Sequence, residues 1–276
     1  MNREKTLYIT DLDGTLVRND LTVSDYTAKT INNLIDNGMI FSFATARSIV
    51  TAGDMTSKIK TNIPVVVHNG VFIMEKNTEK ILHGNFFDKT TAGRILKVIT
   101  SHHTTPMVHE YTNGKEKLTF CPGSESKPMR EFLDTRKADK RYNPVKYENL
   151  IDGNVFHFTC IDDKEILLNI RCELENEFQC IYYTDMYTGN IWLEIQPKCA
   201  SKGEAVKQLK EMLGCTKIVC FGDGVNDIPM FEIADESYAV ANAEEELKKY
   251  ATAIIDSNTD DGVAKWLIKN YNTQGE

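Results

Sequence analysis

No C-x-x-C pair occurs among the seven cysteines, Cys121, Cys160, Cys172, Cys180, Cys199, Cys215 and Cys220, and their number is odd. This excludes a secreted disulfide framework and an ordinary zinc site, so the thiols read as mostly buried groups in a reducing compartment. An excess of positive charge is lacking too: 32 Lys and Arg stand against 40 Asp and Glu, a formal net charge of −8. Such a chain is expected to have no nucleic-acid partner and no anionic membrane surface to bind. Long apolar runs are also missing. The run that begins at Thr6 stops at Asp11, too short for a signal-peptide core, and no later window approaches the ~18 residues of a membrane span; the expected location is cytoplasmic. There is no linker rich in Pro, Gly or Ser and no internal repeat, and 41% hydrophobic with 26% charged residues excludes a disordered chain. Against about 150 residues per domain, a length of 276 residues leaves room for one large domain or two modest ones.

What is present begins with alternation. Thr6 to Thr10 reads as a short buried strand, and Ser24 as the N-cap of a helix with Ile31, Leu34 and Ile35 on one face, closed by Gly38. A strand over Met39 to Thr45, a helix over Ser48 to Lys58 and a strand over Pro64 to His68 follow, with Asn69-Gly70 as a tight turn. That rhythm is the pattern of a parallel sheet with helices on its faces. Between Phe86 and Gly189 it changes to a helix from Asp88, a hairpin around Asn113-Gly114, a strand near Val155 to Ile161, a helix near Lys164 to Glu175 and a strand near Gln179 to Thr184. The alternation then resumes with a strand over Ile191 to Ile195, a helix over Ser201 to Leu213, a strand over Lys217 to Phe221 and a helix over Val225 to Ala234. The expected organisation is a discontinuous α/β core, residues 1–85 and 190–276, carrying an α+β insertion over 86–189.

Chemistry concentrates in four places. In Asp11-Leu12-Asp13-Gly14-Thr15, side chains that repeat every two residues would put Asp11 and Asp13 on one side, just past a strand's carboxyl end, where open α/β sheets hold ligands. Two such carboxylates can divide the work, one attacking and the other carrying a proton or helping to hold a cation. Gly222-Asp223-Gly224-Val225-Asn226-Asp227 follows another strand and completes an all-oxygen set suited to Mg²⁺. Thr45-Ala46-Arg47 offers a hydroxyl and backbone N–H groups near a helix start, an anion seat. Lys202 opens a helix, where the dipole favours anions rather than a lysine. Alone, each piece also fits ordinary local structure: an acidic turn, a helix cap, a solvated lysine.

In this order, and each at a strand end or helix start, the four pieces resemble the haloacid dehalogenase superfamily of aspartate-nucleophile phosphatases, along the whole chain. The insertion between Thr45 and Lys202, flanked by His68-Asn69-Gly70 and Leu193 to Pro197, further resembles its Cof-type subfamily, although Ala46 stands where that subfamily often has glycine. The resemblance implies an α/β fold, a Rossmann-like doubly wound parallel sheet with an inserted α+β cap that selects the substrate. It implies Asp11 as nucleophile and Asp13 as general acid, Thr45 and Lys202 on the phosphoryl oxygens, and Mg²⁺ held by Asp11, the Asp13 carbonyl and Asp223 with support from Asn226 and Asp227. Ala46, Arg47 and Asn69 are candidate substrate contacts. The expected activity is Mg²⁺-dependent hydrolysis of small phosphate monoesters, such as sugar phosphates, through an aspartyl-phosphate. Two other readings are a phosphotransferase or sugar-phosphate mutase, and a non-catalytic sensor of a phosphorylated ligand. The partner is a small phosphorylated metabolite, and nothing in the sequence indicates an oligomeric state. The seven basic residues between Lys127 and Lys146 read as a solvated helical face, His102-His103 as no metal site, and Tyr182, Tyr183 and Trp192 as packing residues.

Overall fold

The computed structural model describes residues 5–185 and 188–271. It divides into two compact units, one made from the segments before Asn85 and after Cys199, the other being Asn85–Cys199. The first segment supplies β1 (Thr6–Thr10), α1 (Asp25–Asp36), β2 (Ile40–Phe43), α2 (Ile49–Met55), β3 (Val65–Val67), β4 (Phe72–Met74) and β5 (Ile81–Gly84). Serine caps start both helices: Ser24 Oγ accepts from Thr27 N–H at 2.9 Å and Ser48 Oγ from Thr51 N–H at 3.3 Å. β3, β4 and β5 form their own antiparallel sheet, joined to the main one by a single parallel bridge between Ala44 and Val66.

The inserted unit contains α3 (Lys89–Ser101), β6 (Met107–Thr112), β7 (Lys115–Phe120), α4 (Lys127–Asp134), β8 (Tyr142–Pro144), β9 (Asn154–Ile161), α5 (Lys164–Leu174), β10 (Phe178–Thr184) and β11 (Ile191–Pro197). Its six strands run in the order β10-β11-β9-β6-β7-β8, antiparallel except for the β7–β8 pair. The β6–β7 hairpin turns on Asn113 and Gly114, both at positive φ, the conformation that a two-residue turn matching strand twist requires. Ile95 and Ile99 of α3 and Leu167, Ile170 and Leu174 of α5 pack with Val108, Phe158, Cys160, Leu193 and Ile195 of the sheet. Met129 and Leu133 of α4 pack instead with Met107, Leu118, Phe120 and Ile161.

The chain returns with α6 (Lys202–Leu213), β12 (Lys217–Gly222), α7 (Ile228–Ile233), β13 (Glu236–Val240), α8 (Glu245–Lys248), β14 (Ala253–Ile255) and α9 (Gly262–Tyr271). The resulting five-stranded sheet, β14-β13-β12-β1-β2, is parallel throughout. β1 and β12 lie inside it as nearly continuous apolar runs, as strands covered on both faces do. From β1 the strand order runs outward to β2 on one side and through β12 to β14 on the other. The β1–β12 junction is therefore the switch point of the sheet, the place where such sheets leave a crevice at their carboxyl ends.

Two expectations change. Ile191–Pro197 does not resume the parallel core; it is β11, antiparallel to β9 and β10 in the inserted unit. The alternation Ile191, Leu193, Ile195 fits any strand with one face on a core, and only its partners reveal which sheet it joins. The cysteines are also less buried than expected: Cys160, Cys215 and Cys220 are buried, whereas Cys172 and Cys199 are exposed. Cys172 lies on α5, which turns Leu167, Ile170 and Leu174 inward. Lys127 and Arg130 of the basic run are exposed, but Arg141 is held between Glu116 and Asp139 at 3.0 and 2.7 Å. Tyr183 and Trp192 stack on each other, their ring centroids 6.0 Å apart. Among the described residues no helix is long and apolar enough to cross a membrane.

Asp261, at the start of α9, ties that helix to α1 by accepting from Ser24 Oγ at 2.5 Å, Thr27 Oγ1 at 2.9 Å and Arg18 Nη2 at 2.9 Å. Burial would raise its pKa, but the hydrogen bonds from Ser24 and Thr27 and the charge of Arg18 outweigh it and hold the carboxyl below its usual range. A folded-state pKa below the unfolded one gives stability that is complete above the unfolded value, near ~3.9, and is lost as pH falls through the folded value. Asp261→Asn is expected to lose about 1–2 kcal/mol at pH 7, with the gap from wild type narrowing below about pH 4. Urea denaturation at a series of pH values measures it.

Candidate active site

Asp11 is the first residue past β1, and its N–H continues the ladder to β12 by donating to Phe221 O at 2.9 Å. The chain then turns tightly, with the N–H groups of Thr15, Leu16 and Val17 all donating to Leu12 O. Strand alternation no longer governs this turn, and Asp11 and Asp13 end in different surroundings. The Asp11 side chain is 7% exposed and accepts from Lys202 Nζ at 2.6 Å, whereas that of Asp13 is 42% exposed and is held by Arg47.

The second acidic loop meets the first through a glycine. Gly14 has φ +74°, and a Cβ there would lie 2.2 Å from Asp223 Oδ2, so only glycine lets the two loops approach this closely. Thr15 Oγ1 donates to Asp223 Oδ1 at 3.0 Å across the same contact. Asp227, fully buried, has both carboxylate oxygens engaged: Oδ1 accepts from Lys202 Nζ at 2.7 Å, and Oδ2 from the N–H groups of Asp223 and Gly224 at 3.0 and 3.2 Å. Asp227 thereby holds both its own loop and the lysine.

Lys202 is the first residue of α6, with Ser201 as N-cap, and its side chain has no exposure. A buried ammonium at a helix N-terminus is unfavourable on two counts, and the two carboxylates it touches offset both. Burial would lower its pKa, but Asp11 and Asp227 together hold it above the ordinary lysine value, so it stays charged. Burial first, then the charges of Asp227 and Asp223, push Asp11 well above the usual carboxylate range despite Lys202. Burial and Asp227 push Asp223 up to about 6, against the Thr15 hydrogen bond and Lys202.

Three carboxylates thus face one ammonium. Asp11, Asp223 and Asp227 each offer an oxygen within 4.8 Å of the others. Their negative charge exceeds what Lys202 neutralises, and an all-oxygen donor set of this kind suits a hard divalent cation. With both Asp227 oxygens engaged by N–H donors, Asp11 and Asp223 are the better placed of the three to meet a cation.

Thr45 is fully buried, its N–H donating to Val66 O at 3.0 Å and its carbonyl accepting from Asn69 N–H at 2.9 Å. Its Oγ1 accepts from Arg47 N–H at 3.1 Å. Asn69, at φ +55°, accepts from Asn226 Nδ2 at 3.3 Å, which links the β3 turn to the second acidic loop. Ala46 is exposed between Thr45 and Arg47. The structure therefore joins Asp11, Lys202, Asp223 and Asp227 directly, and Thr45, Arg47, Asp13, Asn69 and Asn226 as a bordering set. Two supporting residues escaped the sequence reading. Asn242 Nδ2 donates to Gly14 O at 2.8 Å, and Glu244 N–H donates to Asp223 O at 2.8 Å. Both follow β13, so their place at a strand's carboxyl end was the available signal.

A family model described as haloacid dehalogenase-like hydrolase matches residues 8–267. The 5-amino-6-(5-phospho-D-ribitylamino)uracil phosphatase YcsE of Bacillus subtilis is 28% identical over 274 residues, covering 94% of this chain and 94% of that protein. The phosphatase YwtE of the same organism, with the same named substrate, is 24% identical over 277 residues, covering 93% and 95%. The fold is shared with BT1666 from Bacteroides thetaiotaomicron, described among phosphatases of the haloalkanoate superfamily, at a TM-score of 0.78 with 16% identity, covering 97% of this chain and 96% of that one.

Lys202→Met leaves two buried carboxylates without their shared cation. It is expected to lower stability by about 3–5 kcal/mol, read as a fall in the urea midpoint at pH 7. A loss below about 1 kcal/mol, the range of an exposed pair, would show that these contacts do not hold the site together.

Proposed function

The chain belongs to the haloacid dehalogenase-like hydrolases, and from that membership we propose a Mg²⁺-dependent phosphatase that hydrolyses small phosphate monoesters through an aspartyl-phosphate on Asp11. The observation that carries this reading is the buried Asp11–Lys202 contact of 2.6 Å at the sheet's switch point, beside Asp223. A nucleophilic carboxylate must approach a phosphate dianion, and at about 4 Å and an effective dielectric near 20 the repulsion is roughly 8 kcal/mol. A purely acidic pocket would fail. Lys202 supplies one fixed positive charge, and the acidic set has the chemistry to hold another.

In the proposed reaction an Asp11 oxygen attacks phosphorus while the bond to the ester oxygen breaks. Asp13 gives its proton to that leaving oxygen, then as a carboxylate takes a proton from water, which attacks phosphorus, releases inorganic phosphate and restores Asp11. Thr45 and Lys202 hold the phosphoryl oxygens. Asp11, the Asp13 carbonyl and Asp223 would hold Mg²⁺, supported by Asn226 and Asp227; the ion, when bound, neutralises charge developing on the transferring group. Ala46 and Asn69 are the proposed contacts to the rest of the ester. The inserted unit, drawn from sequence as residues 86–189, would choose the substrate. Two relatives named for a ribityl phosphate support a small sugar-like ester. The seven free thiols and the net charge of −8 favour a cytoplasmic enzyme with no nucleic-acid or membrane partner.

Asp11→Asn is expected to abolish phosphate release from p-nitrophenyl phosphate while the protein stays folded; turnover at the wild-type rate would overturn the assignment. Asp13→Ala should reduce turnover of phenyl phosphate by about 10²–10⁴. Mg²⁺ at about 100 times its dissociation constant should stabilise the wild type by roughly 2.7 kcal/mol, read as a rise in melting temperature. Asp223→Asn should remove that rise.

A further inference from the structure

Arg47 reaches Asp13 with two donors. Nε donates to Oδ2 at 2.7 Å and Nη2 to Oδ1 at 2.6 Å, a two-point fork that fixes both the position and the plane of the carboxylate. The arginine is itself anchored. Its N–H donates to Thr45 Oγ1 at 3.1 Å, and its carbonyl accepts from His68 N–H at 3.0 Å. Fully buried Thr45, the Arg47 backbone, its guanidinium and Asp13 therefore form one continuous support.

Side-chain exposures of 28% and 42% leave the Arg47–Asp13 pair partly screened by solvent. Its effect is geometric. The bridge between Asp13 and Val17 holds the backbone but not the side chain, so the half-exposed carboxylate would sample several rotamers without the fork. Proton transfer to a leaving oxygen demands hydrogen-bond reach and alignment, which a wandering carboxyl provides only part of the time; with the proton on one Asp13 oxygen, the arginine holds the carboxyl through the other.

We infer that Arg47 is a positioning residue for Asp13, setting the geometry from which the acid meets the leaving oxygen, and not primarily a grip on the ester. This rests on the proposed phosphatase reading and deepens it. A positioning role and a binding role differ in what they make sensitive. Loss of a binding contact raises KM alike for esters of similar shape. Loss of acid positioning slows the step that breaks the ester bond, and does so most where the leaving group is the stronger base.

Phenyl phosphate and p-nitrophenyl phosphate provide that contrast, since phenoxide is much the stronger base and the two differ by one ring substituent. Steady-state kinetics of wild type, Arg47→Gln, Arg47→Lys, Asp13→Ala and the Asp13→Ala/Arg47→Gln double variant are compared on both. For Arg47→Gln the expected drop in kcat/KM, which reports the step that breaks the ester bond, is about tenfold larger on phenyl phosphate than on p-nitrophenyl phosphate, a share of the ~10²–10⁴ that a positioned acid contributes. Arg47→Lys, with a single point of contact, should recover part of it. The double variant should be no slower on phenyl phosphate than Asp13→Ala alone, because the arginine acts through the aspartate. Equal losses on both esters, a rise in KM as the main effect, or additive losses in the double variant would overturn the inference while leaving the phosphatase reading intact. A wild type inactive on both esters would overturn the phosphatase reading and this inference with it.

Discussion

One buried ammonium organises the site. Lys202 touches Asp11 and Asp227 at once, so the start of α6, the end of β1 and the loop after β12 meet at a single atom. Neither a lone lysine nor lone carboxylates would be tolerated at this depth. Each is admissible because the others are present, which makes the arrangement cooperative rather than a sum of independent contacts. The same three segments carry Asp11, Asp13, Lys202 and Asp223, so folding of the core brings these residues together. Three carboxylates share one ammonium, and it is this imbalance, not any single aspartate, that makes the pocket receptive to a divalent ion.

Much of this was legible in the residues. The cap at Ser24 announced its helix, Asn113-Gly114 its hairpin, and the passage from an apolar run to Asp11 or to Gly222 a strand end. The α/β core with an inserted sheet unit follows the resemblance to the haloacid dehalogenase superfamily. Local pattern could not show adjacency. That β1 pairs with β12 depends on a partner distant in the chain, and that Ile191–Pro197 joins β9 and β10 depends on partners that its alternation alone does not name. The different partners of Asp11 and Asp13, Lys202 for one and Arg47 for the other, were hidden because they come from segments that local pattern does not connect. Asn242 and Glu244 had only their place after a strand to mark them, and the Glu244 contact is made by its backbone N–H, which no side chain signals.

The glycines show how tightly the pieces are fitted. Gly14 makes room for Asp223, and at Gly70, φ +94°, a Cβ would fall 2.1 Å from Ser201 O, the carbonyl just before Lys202. Two of the segments around the site thus come together only because one partner presents bare backbone. Close approach, rather than turn formation alone, is the constraint at both positions.

The pairing of Thr6 with Lys217 also has a temporal side. On a translating ribosome the N-terminal strand emerges long before its neighbour exists. At about 5–20 residues per second the wait is on the order of ten to forty seconds. The intervening Asn85–Cys199 stretch is contiguous and can complete its own sheet during that interval. The nascent core meanwhile presents one raw edge of β1, a template for mispairing that only the late arrival of β12 closes. A protein wired this way has reason to keep that first strand to five residues.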